Sequence, residues 1–205
     1  MNTTNEVILA GGGGCMRELA WQISESGIKI KGYCAPAKEE TSLTYLGDDD
    51  YLKNLNEEAN VVLCFGSEKL RKRVYEYISE NKKLHFPAVI LKGAVVSPDA
   101  VISKGAVVAS KAVVSTEAYI GEFAFINMDS HISHDCKIGS FVTVSPRVAM
   151  AGAVTVGDNS FIGINATIIQ GITIGSGAVI GAGAVVISDI PANVMAVGVP
   201  AKIKK

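Results

Sequence analysis

A six-residue period in the second half of the chain constrains the fold more than any other feature. Large aliphatic side chains recur at every sixth position from Ile90 to Val186 without interruption. The residue two positions before each aliphatic is usually small, as at Ala106, Ala124 and Ala184. This period fits neither the turn of an α-helix nor the two-residue alternation of a simple strand. It predicts a coil with three flat faces, each formed by one hexad.

The pattern is typical of an all-β, left-handed parallel β-helix built from hexapeptide repeats. Residues three hexads apart stack in a column, and the aliphatic side chains fill the interior of the prism. No long loop interrupts the repeat, so functional groups are expected at its corners and faces. A site is formed most readily where a second subunit lies alongside, and this predicts a homotrimer.

The first part of the chain has a different composition. Residues 1–86 contain 24 charged side chains and residues 87–205 contain 15, so a domain boundary is expected between them. In the first part, short apolar runs alternate with helical patterns. The expected elements are strands at 7–10, 28–30 and 60–65 and helices at 17–26 and 68–81. Strand–helix–strand order predicts a small parallel sheet, which makes residues 1–86 an α/β domain of Rossmann-like type.

Composition also excludes several classes of protein. The net charge of -1 argues against a nucleic-acid-binding protein that relies on bulk positive charge. Four widely spaced cysteines predict a reduced, cytoplasmic protein without a disulfide framework or structural zinc. Residues 159–188 lack charged side chains, but their glycines and six-residue period exclude a membrane helix. The N-terminal residues do not have the pattern of a signal peptide.

The densest exception to the repeat is the segment from Asn127 to Cys136. Because Ile132 occupies an inward position, His134 and Asp135 are expected at the following corner. Stacking places Gly152 in the column of His134, where the missing side chain would expose a backbone N–H beside the imidazole. An imidazole, a carboxylate that orients it and an amide donor can catalyse acyl transfer by general base. The alternative is that the two side chains form a solvated corner pair.

A metal site is a weaker interpretation, and no metal is expected. His131 and His134 have the spacing H-x-x-H, but no third ligand accompanies them and His85 is remote. His131 is expected on a flat face, at the surface or at a subunit interface. Trimeric β-helix carbonic anhydrases bind metal through three histidines, so a protein of that type is the least favoured alternative.

A glycine-rich turn follows the first predicted strand and precedes the first helix. Backbone amides at such a turn can hold phosphate, and the predicted substrate-binding residues are Gly12, Gly13, Gly14 and Cys15. Met16 replaces the third glycine of a dinucleotide fingerprint, and no acidic residue for a ribose ends the second strand. A nucleotide sugar is therefore favoured over NAD. The alternative is that the glycines serve only tight packing of the strand against the helix.

Almost from end to end, the chain resembles the sugar O/N-acetyltransferases of the sialic-acid and bacillosamine type. Besides the glycine turn, the motifs that carry the resemblance are Arg17-Glu18-Leu19, Ile126-Asn127, His134-Asp135-Cys136 and Gly198-Val199-Pro200-Ala201-Lys202. The resemblance implies trimers that transfer acetyl from acetyl-CoA to a sugar, often a nucleotide-activated amino sugar, in the biosynthesis of bacterial surface glycans.

The resemblance also implies a role for each site residue. His134 would act as the general base and Asp135 would orient its imidazole. The Gly152 amide would stabilise the oxyanion, and Asn127 would help to position the acceptor. The implied coenzyme contacts are Gly152 and Lys202. Arg147 is expected beside the coenzyme channel, where it binds a coenzyme phosphate, blocks the channel or pairs across subunits.

Three departures from the family pattern concern the acceptor and the coenzyme. The family turn usually reads G-G-H-G, whereas this chain has Cys15 and Met16 at the last two positions. The usual acidic run after the second strand is replaced by Cys34-Ala35-Pro36. Arg147 stands where the family generally has a small residue. The first two departures leave the acetyl-transfer residues intact and point to a different sugar, or another amine, as the acceptor. The second hypothesis, from a different class, is a non-catalytic trimer that binds a nucleotide through the glycine turn.

Overall fold

The computed structural model describes residues 5–204. The chain begins with a fully parallel sheet in the order β3-β2-β1-β4-β5. Its strands are β1 (Glu6–Ala10), β2 (Lys29–Cys34), β3 (Tyr45–Gly47), β4 (Ala59–Leu63) and β5 (Leu84–His85). The accompanying helices are α1 (Gly13–Glu25), α2 (Asp49–Lys53) and α3 (Glu68–Ile78).

The rest of the chain is a parallel β-solenoid with three sheet faces. The first face contains β6 (Val89–Ile90), β9 (Val107–Val108), β12 (Phe125–Ile126), β15 (Thr143–Val144), β18 (Phe161–Ile162), β21 (Val179–Ile180), β23 (Met195–Val197) and β24 (Lys202–Ile203). The second contains β7 (Val95–Val96), β10 (Val113–Val114), β13 (His131–Ile132), β16 (Ala149–Met150), β19 (Thr167–Ile168) and β22 (Val185–Val186). The third contains β8 (Val101–Ile102), β11 (Tyr119–Ile120), β14 (Lys137–Ile138), β17 (Thr155–Val156) and β20 (Thr173–Ile174).

The six-residue period produces the core as predicted. From Val108 to Val186 every aliphatic of the series is fully buried, and small residues such as Ala112 and Ala166 are buried beside them. The corresponding residues of the first coil, Ile90, Val96 and Ile102, are only partly buried. They lie at the end of the solenoid, where a coil packs against a neighbour on one side only.

Most corners of the prism contain a residue in the left-handed backbone region. The non-glycine residues with positive φ are Lys111, Glu117, Phe123, Asp129, Asp135, Phe141, Arg147, Ala153, Asn159, Asn165 and Asn193. Asn and Asp tolerate this region, but phenylalanine rarely adopts it. The Phe123 and Phe141 rings stack with centroids 5.1 Å apart, and Tyr75 lies 4.1 Å from Phe123. These ring contacts stabilise the otherwise unfavourable backbone conformation of Phe123 and Phe141.

The N-terminal region packs on the first face of the solenoid. Outward side chains of that face, Val107 and Phe125, share one buried cluster with Leu19 and Ile23 of α1. The same face therefore has an apolar outer surface as well as an apolar inner one. The predicted domain boundary after residue 86 falls between β5 and β6, and it stays a prediction because the two parts share this interface.

Arg71 of α3 is buried in the same interface. Its guanidinium donates hydrogen bonds to the carbonyls of Phe123 (2.8 Å) and Phe141 (3.0 Å) and to the hydroxyl of Thr143 (2.9 Å). Thr143 in turn donates to the Gly66 carbonyl at 2.9 Å. Burial lowers the pKa of Arg71 to about 10. A buried charge of this kind is tolerated when its donors are satisfied.

The first sheet was predicted only in part. Strands β1, β2 and β4 and helix α3 lie where the apolar runs predict them. The predicted start of α1 at residue 17 is wrong, because the helix includes Gly13 and begins after Gly12 without a side-chain cap. Strands β3 and β5 and helix α2 were missed. They have two to five residues each, too few for a periodic pattern.

Candidate active site

His134 lies at the corner between the second and third faces. Strand β13 ends at Ile132 and β14 begins at Lys137, and the corner between them places Asp135 at φ 60°. Nδ1 of His134 lies 2.7 Å from Oδ2 of Asp135. Both side chains are more than half exposed, so a ligand can reach the imidazole from solvent.

Gly152 lies one coil further along, directly against this imidazole. The stacking is fixed by a hydrogen bond from the Ala153 amide to the His134 carbonyl (2.9 Å). A β-carbon built on Gly152 would overlap the ring, and even Nδ1 would lie only 3.0 Å from it. Gly152 is buried, and its N–H donates no hydrogen bond within residues 5–204. The imidazole ring of His134 therefore lies directly against a peptide group that carries no side chain.

The geometry defines the chemistry that this corner can perform. When Nδ1–H donates to Asp135, the neutral ring has its lone pair on Nε2. Nε2 can then accept a proton from an incoming nucleophile. An amide without an internal acceptor is a suitable donor for an oxyanion.

Thr116 lies in the same column on the other side of His134. Its carbonyl accepts a hydrogen bond from the Asp135 amide at 3.2 Å, which helps to hold the corner. Its hydroxyl donates to Asp99, which also accepts from Ser97, and these hydrogen bonds lower the pKa of Asp99. The Thr116 hydroxyl is therefore engaged away from the imidazole.

The glycine turn is on a different side of the molecule and is filled by a side chain of the chain itself. Oε1 of Glu39 accepts a hydrogen bond from the Gly13 amide at 2.6 Å, and Oε2 lies 3.0 Å from the Arg17 guanidinium. A β-carbon on Gly12 would overlap Oε1. Cys15 is partly buried. Its burial and, to a smaller extent, the negative charge of Glu18 raise the pKa of its thiol.

Comparison with known proteins identifies the family. A family profile described as the hexapeptide repeat of succinyl-transferase matches residues 153–188. A search of curated protein sequences finds no match. A histidine-to-asparagine variant of perosamine N-acetyltransferase from Caulobacter crescentus, in complex with CoA and GDP-perosamine, is 30% identical, with a TM-score of 0.92 over 98% of this chain and 97% of that chain. The chain belongs to the hexapeptide-repeat sugar acetyltransferases.

Two further solved structures are similar to this acetyltransferase. The acetyltransferase domain of PglB from Neisseria gonorrhoeae FA1090, in complex with acetyl coenzyme A, is 29% identical, with a TM-score of 0.92 over 98% of this chain and 100% of that chain. WeeI from Acinetobacter baumannii AYE has a TM-score of 0.86 over 97% of this chain and 100% of that chain. At 23% identity it supports the fold alone.

The other predicted site residues of the acetyltransferase lie away from His134 within one protomer. Asn127 is at the corner between the first and second faces, where its side chain accepts from the Met128 amide at 2.7 Å. Arg147 is exposed at the same edge, one coil further along, with φ 61°. Lys202 is exposed on β24, at the far end of the first face. The structure brings together His134, Asp135 and Gly152, but not these three.

Two searches for other features gave negative results. Between Asn5 and Lys204, no three or more His, Cys, Asp or Glu side chains are grouped as metal ligands. Over the same residues, no helix has the length and apolar character needed to cross a bilayer. His131 is exposed on the second face, and His85 pairs with Glu58.

Sequence analysis missed Glu39 and Arg71. Arg71 could have been found, because it shares the buried side of α3 with Val74 and Ile78, where an arginine is unexpected. Glu39 lies in an irregular stretch between β2 and β3, 26 positions from the amide that it contacts. No local pattern indicates that contact.

Proposed function

We propose that the chain transfers acetyl from acetyl-CoA to an amine or hydroxyl of a sugar or nucleotide-activated amino sugar, with His134 as the general base. The observation that carries this proposal is the contact of the His134 ring with the bare backbone of Gly152, beside the hydrogen bond to Asp135. Family membership supports the reaction class, because relatives hold CoA with GDP-perosamine, or acetyl coenzyme A.

In this mechanism Asp135 keeps the imidazole in one tautomer and orientation. Nε2 removes a proton from the acceptor amine or hydroxyl as the acceptor attacks the thioester carbonyl. The carbonyl oxygen gains negative charge in the tetrahedral intermediate, and the Gly152 N–H donates a hydrogen bond to it. The intermediate then expels the coenzyme A thiolate, which the protonated imidazole can neutralise. General bases of this kind typically contribute about 10²–10⁴-fold to the rate.

Asn127 is proposed to position the acceptor, and Gly152, Arg147 and Lys202 are proposed to contact coenzyme A. Asn127 and Arg147 follow one another along one edge of the prism, and His134 lies on another edge. A site that uses both edges needs two protomers in contact.

A homotrimer is proposed for the same reason. The N-terminal region covers the first face, whereas His134 lies between the second and third faces. The glycine turn of one protomer can therefore serve an acceptor at the imidazole of a neighbour, but not at its own. Closed cyclic symmetry repeats such a contact for every subunit.

Several finer assignments also remain proposals. They are the left-handed sense of the solenoid coil, the Rossmann-like character of the first sheet, a cytoplasmic location and a role in bacterial surface-glycan biosynthesis. Strand β1 of the parallel sheet leads into a glycine turn and then helix α1, and this order supports the Rossmann-like character of the first sheet. Of the two alternatives, neither the non-catalytic nucleotide binder nor the metal-dependent trimer has a specific observation in its favour.

The decisive experiment measures thiol release from acetyl-CoA with a panel of amino sugars and nucleotide-linked amino sugars. The His134→Ala variant should lose at least about 10²-fold in kcat with every accepted substrate. His85→Ala is the matched control, because His85 lies at the edge of the first sheet and, among residues 5–204, its side chain pairs with Glu58 alone. Full turnover by His134→Ala would exclude the mechanism.

A further inference from the structure

The carboxylate of Glu39 occupies the position at the glycine turn where an anionic ligand would be expected. It accepts from the first amide of α1, that of Gly13, and pairs with Arg17 in the next turn of the same helix. Only a quarter of the Glu39 side chain is exposed to solvent. The positive end of the helix is therefore already neutralised by an internal anion.

The stretch that carries Glu39 is held by the buried Tyr33 and by Tyr45, which is partly buried. The Glu39 amide donates to the hydroxyl of Tyr33 at 2.7 Å, and Tyr33 is fully buried. The Tyr33 ring packs against Tyr45 at a centroid distance of 5.4 Å, and the Tyr45 hydroxyl donates to the Ala35 carbonyl at 3.2 Å. Backbone and side chain of Glu39 are thus both anchored.

Two glycines of the turn are explained by this arrangement without any external ligand. A side chain at Gly12 would overlap the Glu39 carboxylate, and Gly13 has a positive φ of 71°. Gly14 differs, because a β-carbon there would meet nothing within 4 Å. This open space beside Gly14, next to a carboxylate, suits a neutral or cationic group better than a diphosphate.

A tethered carboxylate also competes strongly with a free anion. Its effective concentration at the turn is high, because the anchored backbone holds it in place. A diphosphate would have to displace Glu39 and break its pairing with Arg17. If it bound without displacing Glu39, it would place like charges side by side.

We propose that Glu39 determines acceptor specificity by excluding phosphate from the glycine turn. The acceptor is then an amino sugar, or another amine, that places no diphosphate at this turn. This inference rests on the proposed function and names the acceptor class for the same site.

Calorimetric titration with GDP and with UDP, in the absence of acetyl-CoA, tests the exclusion. Wild-type protein should bind both more weakly than about 1 mM. Glu39→Ala should bind at least one of them at least tenfold more tightly than wild type does. The matched control is Glu40→Ala, which removes an exposed carboxylate next in sequence and should behave like wild type.

Wild-type binding tighter than about 1 mM, or a gain below tenfold in Glu39→Ala, would overturn the exclusion. Circular dichroism checks that the variant folds. If Glu39→Ala does not fold, Glu39→Gln removes the charge with little change of shape, and the same tenfold criterion applies.

A second assay separates this inference from the proposed function. Thiol release is measured with a 4-amino sugar and with its nucleoside diphosphate derivative. Wild type should favour the free sugar at least tenfold in kcat/KM, and Glu39→Gln should reduce that ratio. Preference for the diphosphate derivative would overturn the acceptor class. Acetylation of neither sugar would overturn the proposed function and the acceptor class together, whereas the titration would still decide whether Glu39 excludes phosphate.

Discussion

The missing side chain of Gly152 is as important to the candidate site as the imidazole of His134. Because a β-carbon would overlap the ring, glycine is required for the ring to lie where it does. The Gly152 N–H also has no internal acceptor in the described part of the chain. Ring position and oxyanion donor therefore depend on one residue.

We predict that Gly152→Ala lowers kcat about 10²-fold, because displacement of a catalytic group by about 1 Å has an effect of this size. The fold should persist, since His134 is exposed and can rotate away. The measurement is steady-state thiol release, combined with a thermal unfolding curve.

Gly171→Asn is the control for Gly152→Ala. Gly171 lies at the same edge of the prism, its φ of 72° suits asparagine, and a β-carbon there has no neighbour within 4 Å. Its activity should equal that of wild type. Equal activities of the two variants would contradict the role assigned to Gly152.

A second prediction at the residue scale concerns the thiols. Burial raises the pKa of Cys34 to about 12 and that of Cys64 well above its usual value, and the pKa of Cys136 is also raised. At pH 8 only about one Cys34 side chain in 10⁴ is a thiolate, the reactive form. A disulfide-exchange reagent at pH 8 should therefore modify at most Cys15 within minutes. In guanidinium, which unfolds the protein, all four cysteines should react. Reaction of two or more thiols within minutes in the native protein would contradict the prediction.

At the scale of elements, helix α3 joins the two parts of the molecule through one charged side chain. Arg71 reaches the backbone of two successive coils at Phe123 and Phe141, and aromatic rings pack around this contact. The buried guanidinium supplies directional hydrogen bonds that apolar packing alone would not. Helix α3 therefore helps to fix the position of the N-terminal region along the solenoid, together with the packing of α1 on the first face.

We predict that Arg71→Met lowers the free energy of unfolding by at least about 3 kcal/mol, because several buried acceptors lose a charged donor. Urea unfolding followed by circular dichroism measures the change. Arg73→Met, which replaces an exposed arginine of the same helix, should change stability by no more than about 0.5 kcal/mol. A loss of less than about 1 kcal/mol in Arg71→Met would show that the contact is not stabilising.

At the scale of the whole molecule, the separation of the glycine turn from His134 has a functional consequence. One lies beside the first face and the other at the opposite corner, so a single protomer does not bring them together. An assembly in which neighbours complete each other's sites satisfies this geometry.

We predict that two inactive variants restore activity when they assemble together. His134→Ala lacks the base, and Gly14→Trp fills the open space of the turn, where a β-carbon meets no neighbour. In the proposed trimer, mixed assemblies would contain some sites with the intact His134 of one protomer and the intact Gly14 of another, so co-expression should recover roughly a tenth or more of wild-type kcat. Mixing the purified, separately assembled variants is the control. A protein that is monomeric by light scattering, or that shows no recovery, would contradict the shared site.

The sequence by itself determined the solenoid core and the column that unites His134 with Gly152. Both follow from a local period, because each residue of the repeat finds its place by counting hexads along the chain. It did not determine which face the N-terminal region covers, or that Glu39 fills the glycine turn. Those features are tertiary because they join residues distant in sequence, such as Arg71 and Phe123, through packing that has no period. They depend on the complete arrangement of sheet, helices and solenoid, which only the folded chain brings into contact.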